Sequence, residues 1–221
     1  MKVLVIAPHP DDEVLGCGGI IAKHLAQGNE VYVGIVTKVT EPIFTEEEDV
    51  VNKQHCLNAH RFLGVTDTVF LDLPAAMLES VPRYELNGSI GKLVRDIQPE
   101  EVYIPHRGDM HLDHKMIADA CMVALRPRFD YSVRRIYAYE TLSETEWDVP
   151  NATNAFIPNV YVDITDYIDR KTGAMMEYKN QICEFPNPRS VEGIRSLARL
   201  RGSTISREYA EAFMLIREIK D

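Results

Sequence analysis

No stretch of this chain strings together the roughly 20 apolar residues a bilayer-spanning helix needs; the opening run, Val3-Leu4-Val5-Ile6-Ala7, is only strand-sized. Cysteine is sparse, and Cys17, Cys56, Cys121 and Cys183 lie far apart with no CxxC pair. That spacing excludes a disulfide framework and a thiolate zinc site, and leaves free thiols in a reducing compartment as the expectation. Positive charge is in deficit: 24 Lys and Arg stand against 34 Asp and Glu, a formal net charge of −10. Nucleic-acid binding calls for a basic face, so no such partner is expected. Trp147 and Tyr131 belong to no aromatic series that would stack single strands. The chain begins Met1-Lys2 and enters a strand at once, which leaves no room for a signal peptide and points to the cytoplasm.

What is present is an ordinary globular composition, 45% hydrophobic and 26% charged over 221 residues, and a single domain spanning 1–221 is expected. Apolar runs and helical periodicities alternate. Strands are expected at 2–7, 30–36, 69–71, 102–104, 135–139 and 160–163. Helices are expected at 13–27, 46–63, 80–97, 111–125, 166–180 and 190–201, with a last amphipathic segment at 207–219. The stretch 144–158 has the weakest periodicity and reads as an irregular excursion or a lid. Glu46-Glu47-Glu48-Asp49 reads as a solvated helix start. Such β-α alternation implies an α/β fold: a Rossmann-like, mostly parallel sheet with helices on both faces.

The chemistry concentrates in two segments. Pro8-His9-Pro10-Asp11-Asp12-Glu13 follows the first strand directly, and His111-Leu112-Asp113-His114 follows the fourth. If the strands are parallel, both lie at the carboxyl edge of the sheet, where sites in open α/β folds form. A catalytic zinc takes three ligands from His, Asp and Glu and leaves a position open. His9, Asp12 and His114 meet that requirement. Asp11 is left beside them as a general base. His111 is placed to donate to an oxyanion or to protonate a leaving amine, and Asp113 to fix a histidine tautomer. Acidic residues before a helix also serve as ordinary caps, but three in a row after His-Pro exceed that need. Together the segments indicate a metal-dependent hydrolase.

These motifs, with Leu15-Gly16-Cys17-Gly18-Gly19 between them, resemble the PIG-L/LmbE-like family of zinc-dependent N-deacetylases. Pro158-Asn159, Tyr178-Lys179-Asn180-Gln181, Arg201-Gly202 and Tyr209-Ala210-Glu211-Ala212-Phe213 extend the resemblance along the chain. It implies a Rossmann-like fold, homo-oligomeric assembly and hydrolysis of the N-acetyl group of an N-acetylglucosamine-type amino sugar or glycoconjugate, a small-molecule substrate. It also implies His9, Asp12 and His114 as zinc ligands, with Fe2+ the alternative metal, Asp11 as the base and His111 as the oxyanion or acid residue. The Arg-x-x-Glu pattern of many members is replaced here by Asn52-Lys53-Gln54-His55, so Lys53 is the cation left at that place, without arginine's bidentate fork.

Arg107, in the loop before His111, is a second candidate substrate contact, evenly balanced against an exposed loop residue. Gly16-x-Gly18-Gly19 lacks dinucleotide spacing and reads as close helix packing. His55 and His60 fall outside the apolar stripe of their helix and read as surface residues, and Tyr178 and Gln181 as packing one turn apart on a helix. Two further readings stay open from the residues alone: hydrolysis of another N-acyl amide or ester, and a metal-binding protein without turnover.

Overall fold

The computed structural model describes residues 1–128 and 133–220, so Tyr131 lies outside the described residues. Strands β1 (Lys2–Ala7), β2 (Glu30–Lys38), β3 (Asp67–Pro74), β4 (Glu101–Pro105) and β5 (Arg135–Tyr139) are joined by helices α1 (Asp12–Ala26), α2 (Glu46–Leu63), α3 (Arg83–Ile97) and α4 (Leu112–Ala124). The chain then supplies β6 (Val160–Asp163), α5 (Ile168–Met176), α6 (Val191–Ser203) and β7 (Ala210–Glu218). One seven-stranded sheet results, in the order β3-β2-β1-β4-β5-β7-β6. The first five strands are parallel, and β7 is antiparallel to both β5 and β6. The α/β, mostly parallel arrangement is as expected, and the amphipathic segment at 207–219 proves to be a strand.

Side chains alternate across a strand, so β1 feeds two cores. Val3, Val5 and Ala7 pack with Leu15, Ile21 and Met175 on one face, whereas Leu4 and Ile6 pack with Ile90, Leu93 and Ile117 on the other. Both faces are therefore covered, which explains an apolar run without polar alternation. Gly16 is required by this packing: a Cβ there would meet the Tyr139 ring at 2.2 Å. Tyr139 itself donates to the carbonyl of Ile6 at 2.9 Å. Gly16 thus serves helix-to-sheet contact, while a Cβ at Gly18 or Gly19 would meet Lys171 of α5 or Ile164.

Two local expectations change, those for Tyr178 with Gln181 and for His60. Helix α5 stops at Met176, so Tyr178 and Gln181 sit in the turns after it rather than on one helical face. His60 is not a surface residue; it is 3% exposed, with Nε2 3.2 Å from Glu13 and Nδ1 2.7 Å from Thr68. The segment 144–158 contains neither helix nor strand and is tied down where Met110 donates to the Glu144 carbonyl at 3.0 Å.

Candidate metal centre

The register pairs β1 with β4 in parallel, with β2 on the other side of β1. Connections diverge between β1 and β4, and a crevice opens there at the carboxyl ends of the strands. The chain leaves β1 through Pro8-His9-Pro10, and Asp11 takes φ 117° before α1 begins. A non-glycine residue tolerates that backbone only where its surroundings hold it. Here its N–H donates to the Glu13 carboxylate at 3.1 Å, and Glu13 in turn accepts from the buried Tyr178 hydroxyl.

This turn brings His9 and Asp12 together, and the first turn of α4 supplies His114. Asp12 Oδ2 lies 3.3 Å from Nδ1 of His9 and 3.2 Å from Nε2 of His114. One ligand atom from each of the three residues falls within a 4.8 Å cluster. Nε2 of His114 and Oδ1 of Asp12 are buried with no hydrogen-bond partner. Unsatisfied buried polar atoms are costly unless something else completes them, and two nitrogens with a carboxylate are the donor set of a divalent transition metal. The residues present fit such an ion. Glu13, Cys56 and His60 form another cluster of ligand-type atoms, but its Glu13 and His60 atoms bond one another, Tyr178 and Thr68.

The far side of each imidazole is held. Nε2 of His9 is 2.9 Å from Asp113 Oδ2, which also accepts from the Ala76 N–H at 2.8 Å. Nδ1 of His114 is 2.8 Å from Asp109 Oδ2, and Asp109 accepts from Thr145 through its other oxygen at 2.6 Å. A carboxylate on the outer nitrogen fixes the tautomer and directs the inner lone pair toward a metal. Asp113 thus lies on the outer nitrogen of His9.

Electrostatics follow from this crowding. Burial alone would lower the His9 pKa, but hydrogen bonds to Asp113 and Asp12 carry it up to about 9. His114 likewise overcomes burial through Asp12 and Asp109 and reaches about 10. Asp12, between the two, is held well below the carboxylate range against its own desolvation. Burial raises Asp11 to about 8, opposed chiefly by the guanidinium of Arg189. His111 is pushed down to about 4 by burial and by the charge of His9. It is neutral at pH 7, and its Nδ1 accepts from the Asp113 N–H at 3.1 Å. A backbone N–H can only donate, so the ring proton sits on Nε2.

Around these groups lies a cleft of about 450 Å³, lined by His9, Asp11, Lys53, His111, Glu144 and Arg189 among others. Lys53 thus reaches the cleft, where it pairs with Asp49 at 3.1 Å and Asp72 at 2.6 Å. Arg107 does not. Its Nε donates to Asp119 at 2.6 Å and its side chain is 72% exposed, outside the residues that line this cleft.

The sequence pattern of the PIG-L family, described as GlcNAc-PI de-N-acetylase, matches residues 4–125, which include both motif segments. The chain belongs to the PIG-L family. A relative in Escherichia coli (strain K12), described as an uncharacterized deacetylase, is 27% identical over 80% of this chain and 90% of its own length. The probable N-acetyl-alpha-D-glucosaminyl L-malate deacetylase 2 of Bacillus subtilis (strain 168) is 26% identical over 81% of this chain and 82% of its own. Among solved structures, N,N′-diacetylchitobiose deacetylase from Pyrococcus horikoshii is 25% identical with a TM-score of 0.77, over 97% of this chain and 83% of that one.

Several residues of this PIG-L site escaped sequence reasoning. Asp109 lies five positions before His114 and carried a usable signal, an acid beside a suspected ligand segment. Arg189 and Glu144 carried none. Arg189 reaches Asp11 across 178 residues at 2.8 Å, from a turn without periodicity.

Proposed function

We propose that this chain is a zinc-dependent hydrolase that removes the N-acetyl group from an N-acetylglucosamine-type sugar or conjugate, working as one domain over residues 1–221. The observation that carries this is the Asp12 carboxylate flanked by inward nitrogens of His9 and His114, with Asp11 buried beside it. His9, Asp12 and His114 would hold the ion. When bound, it supplies Lewis acidity, making water more acidic and an amide carbonyl more electrophilic.

The remaining chemistry belongs to side chains. Asp11 accepts the proton of the attacking water. Its pKa of about 8 without metal falls when further positive charge is near, so the base is ionised at neutral pH. Nε2–H of His111 donates to the oxygen on which negative charge develops. The proton held by Asp11 passes to the departing nitrogen as the C–N bond breaks, giving acetate and a free amine. His111 acts as a neutral donor in this scheme, because a group with a pKa near 4 carries no second proton to give. The four unpaired thiols support a reducing compartment, the cytoplasm.

The test is acetate release from a panel of N-acetylated sugars and other N-acyl compounds by protein stripped of metal and reloaded with zinc or ferrous iron. Turnover restored by zinc on acetamido sugars supports the assignment. Restoration by iron alone replaces the metal, a preference for non-sugar amides replaces the substrate, and stoichiometric zinc binding without acetate from any substrate would leave a metal-binding protein.

A further inference from the structure

The cleft beyond the metal-ligating residues has an unusual charge account. Its two permanently cationic side chains, Lys53 and Arg189, are both already engaged. Lys53 sits between Asp49 and Asp72, at 3.1 and 2.6 Å. Arg189 donates to Asp11 and to the Gln181 side-chain oxygen at 2.8 Å each, and to Ser143 at 2.7 Å, and lies 3.7 Å from Glu144. Against them the lining carries the carboxylates of Asp11, Glu48, Asp49 and Glu144. Away from the metal-ligating residues, an anion entering here meets like charge, and the lysine and arginine it could reach are already paired.

Glu144 adds an independent observation. It is 8% exposed and lines the cleft, yet its Oε2 has no hydrogen-bond partner. A buried carboxylate oxygen left unbonded is an acceptor lacking its donor. Val39 and half-buried Phe44 add apolar surface to the same lining. Acceptors together with apolar surface suit a sugar ring, which is polar at its edge and apolar on its faces.

We propose that the cleft selects an uncharged or amine-bearing sugar beyond the N-acetylated unit and rejects a carboxylate- or phosphate-bearing one, with Glu144 Oε2 accepting a hydroxyl or amine proton from that sugar. This rests on the deacetylase reading for the chemistry but not for the binding preference. Specificity arises as much from repulsion of the wrong partner as from attraction of the right one. Glu144 is a substrate-binding carboxylate in this account, and Asp49 and Asp72 act through Lys53, keeping its charge from the substrate.

Two measurements test it. Calorimetry with the zinc-loaded and metal-free protein compares chitobiose, whose amines are cationic, with the glucosaminyl conjugate of malate, which carries carboxylates. Chitobiose is expected to bind at least tenfold tighter, with the gap narrowing between 0.05 and 0.5 M salt, about the range over which the screening length falls severalfold. Glu144→Gln should weaken chitobiose about tenfold and raise the KM for uncharged N,N′-diacetylchitobiose about threefold, a loss graded by ligand charge; an equal loss for both would point to packing and overturn the role given to Glu144. Second, kcat/KM for N,N′-diacetylchitobiose should exceed that for N-acetylglucosaminyl malate by about a hundredfold, and Asp72→Asn, which leaves Lys53 paired with Asp49 alone, should raise the malate value about threefold. Asp72 is partly exposed with φ 55°, a backbone asparagine adopts readily, so this variant folds. Equal or tighter binding of the malate conjugate, or no binding of either sugar, overturns the proposal. Preferential chitobiose binding without acetate release from any sugar would sink the deacetylase reading and leave the cleft preference standing.

Discussion

Arg189 donates through Nη1 to Oδ2 of Asp11 at 2.8 Å, joining this buried carboxylate, the proposed base, to a turn 178 residues further along the chain. Burial raises Asp11 and Arg189 is the chief influence pulling it back. Removing the cation should therefore raise the pKa further and shrink the ionised fraction at neutral pH. Arg189→Met is expected to move the rising acid limb of the kcat/KM profile upward by about one pH unit, since an opposite charge at this range is worth roughly one to three units. An unmoved limb with reduced kcat would mean that Arg189 acts on substrate and not on the base.

Asp11 also links catalysis to stability. Its folded pKa of about 8 lies above the unfolded carboxylate value. A group raised on folding binds its proton more tightly in the native state, so it costs stability increasingly as pH climbs from about 4 toward 8. Asp11→Asn should leave zinc content intact, reduce turnover by about two decades or more, and make the metal-free protein more resistant to urea at pH 8 than at pH 4 relative to the parent. A variant that loses both activity and metal would place Asp11 among the ligands instead.

His9 and His114 titrate in the opposite sense. Their values of about 9 and 10 in the metal-free site exceed the unfolded histidine value. Their contribution to stability is full below about pH 6.5 and is lost as pH rises through 9 to 10. At pH 7 both rings are protonated, and a metal must displace those protons to reach the lone pairs. Zinc binding at pH 7 should thus release about two to three protons, two from the rings and most of one from Asp11 as the ion's charge lowers its pKa, measured by calorimetry in buffers of different ionisation enthalpy, with affinity increasing with pH. Release of none would mean that the ion sits elsewhere. Asp109→Asn, which removes charge from the outer nitrogen of His114, should weaken zinc about 10- to 100-fold.

What the sequence made legible follows from range. β1, β2 and β4 announce themselves as apolar runs because both faces of those strands are covered, and His9 with Asp12, or His111 with His114, are local spacings that need no tertiary information. β7 is different. Its place between β5 and β6, antiparallel to both, depends on partners 50 to 80 residues away, and a half-buried strand pattern reads only as amphipathic. His60 looked like a surface residue because nothing in α2 reveals that Glu13 waits at its tip. Arg107 and Arg189 differ for the same reason: a loop arginine beside a motif found a surface carboxylate, while one far from any motif closes on Asp11.

The same long-range logic governs the brace under the site. Lys171 and Glu211, both buried, pair at 2.6 Å against the side of α1. Lys171 Nζ donates to the Leu15 carbonyl at 2.7 Å, while Glu211 accepts from the N–H groups of Gly19 and Ile20 at 2.8 and 2.7 Å. The pair thus bonds both members of a helical i, i+4 couple, Leu15 and Gly19, one turn beyond the ligand Asp12. Removing one partner strands a buried charge, so Lys171→Met or Glu211→Leu should cost about 3–5 kcal/mol. Removing both with apolar replacements, Lys171→Met with Glu211→Leu, should cost less than the sum of the single changes, because no unpaired charge remains. Urea unfolding of the four proteins checks this. Additive costs would show that the two side chains act independently, and a zinc affinity unchanged in the single variants would show that the brace stabilises α1 without positioning Asp12.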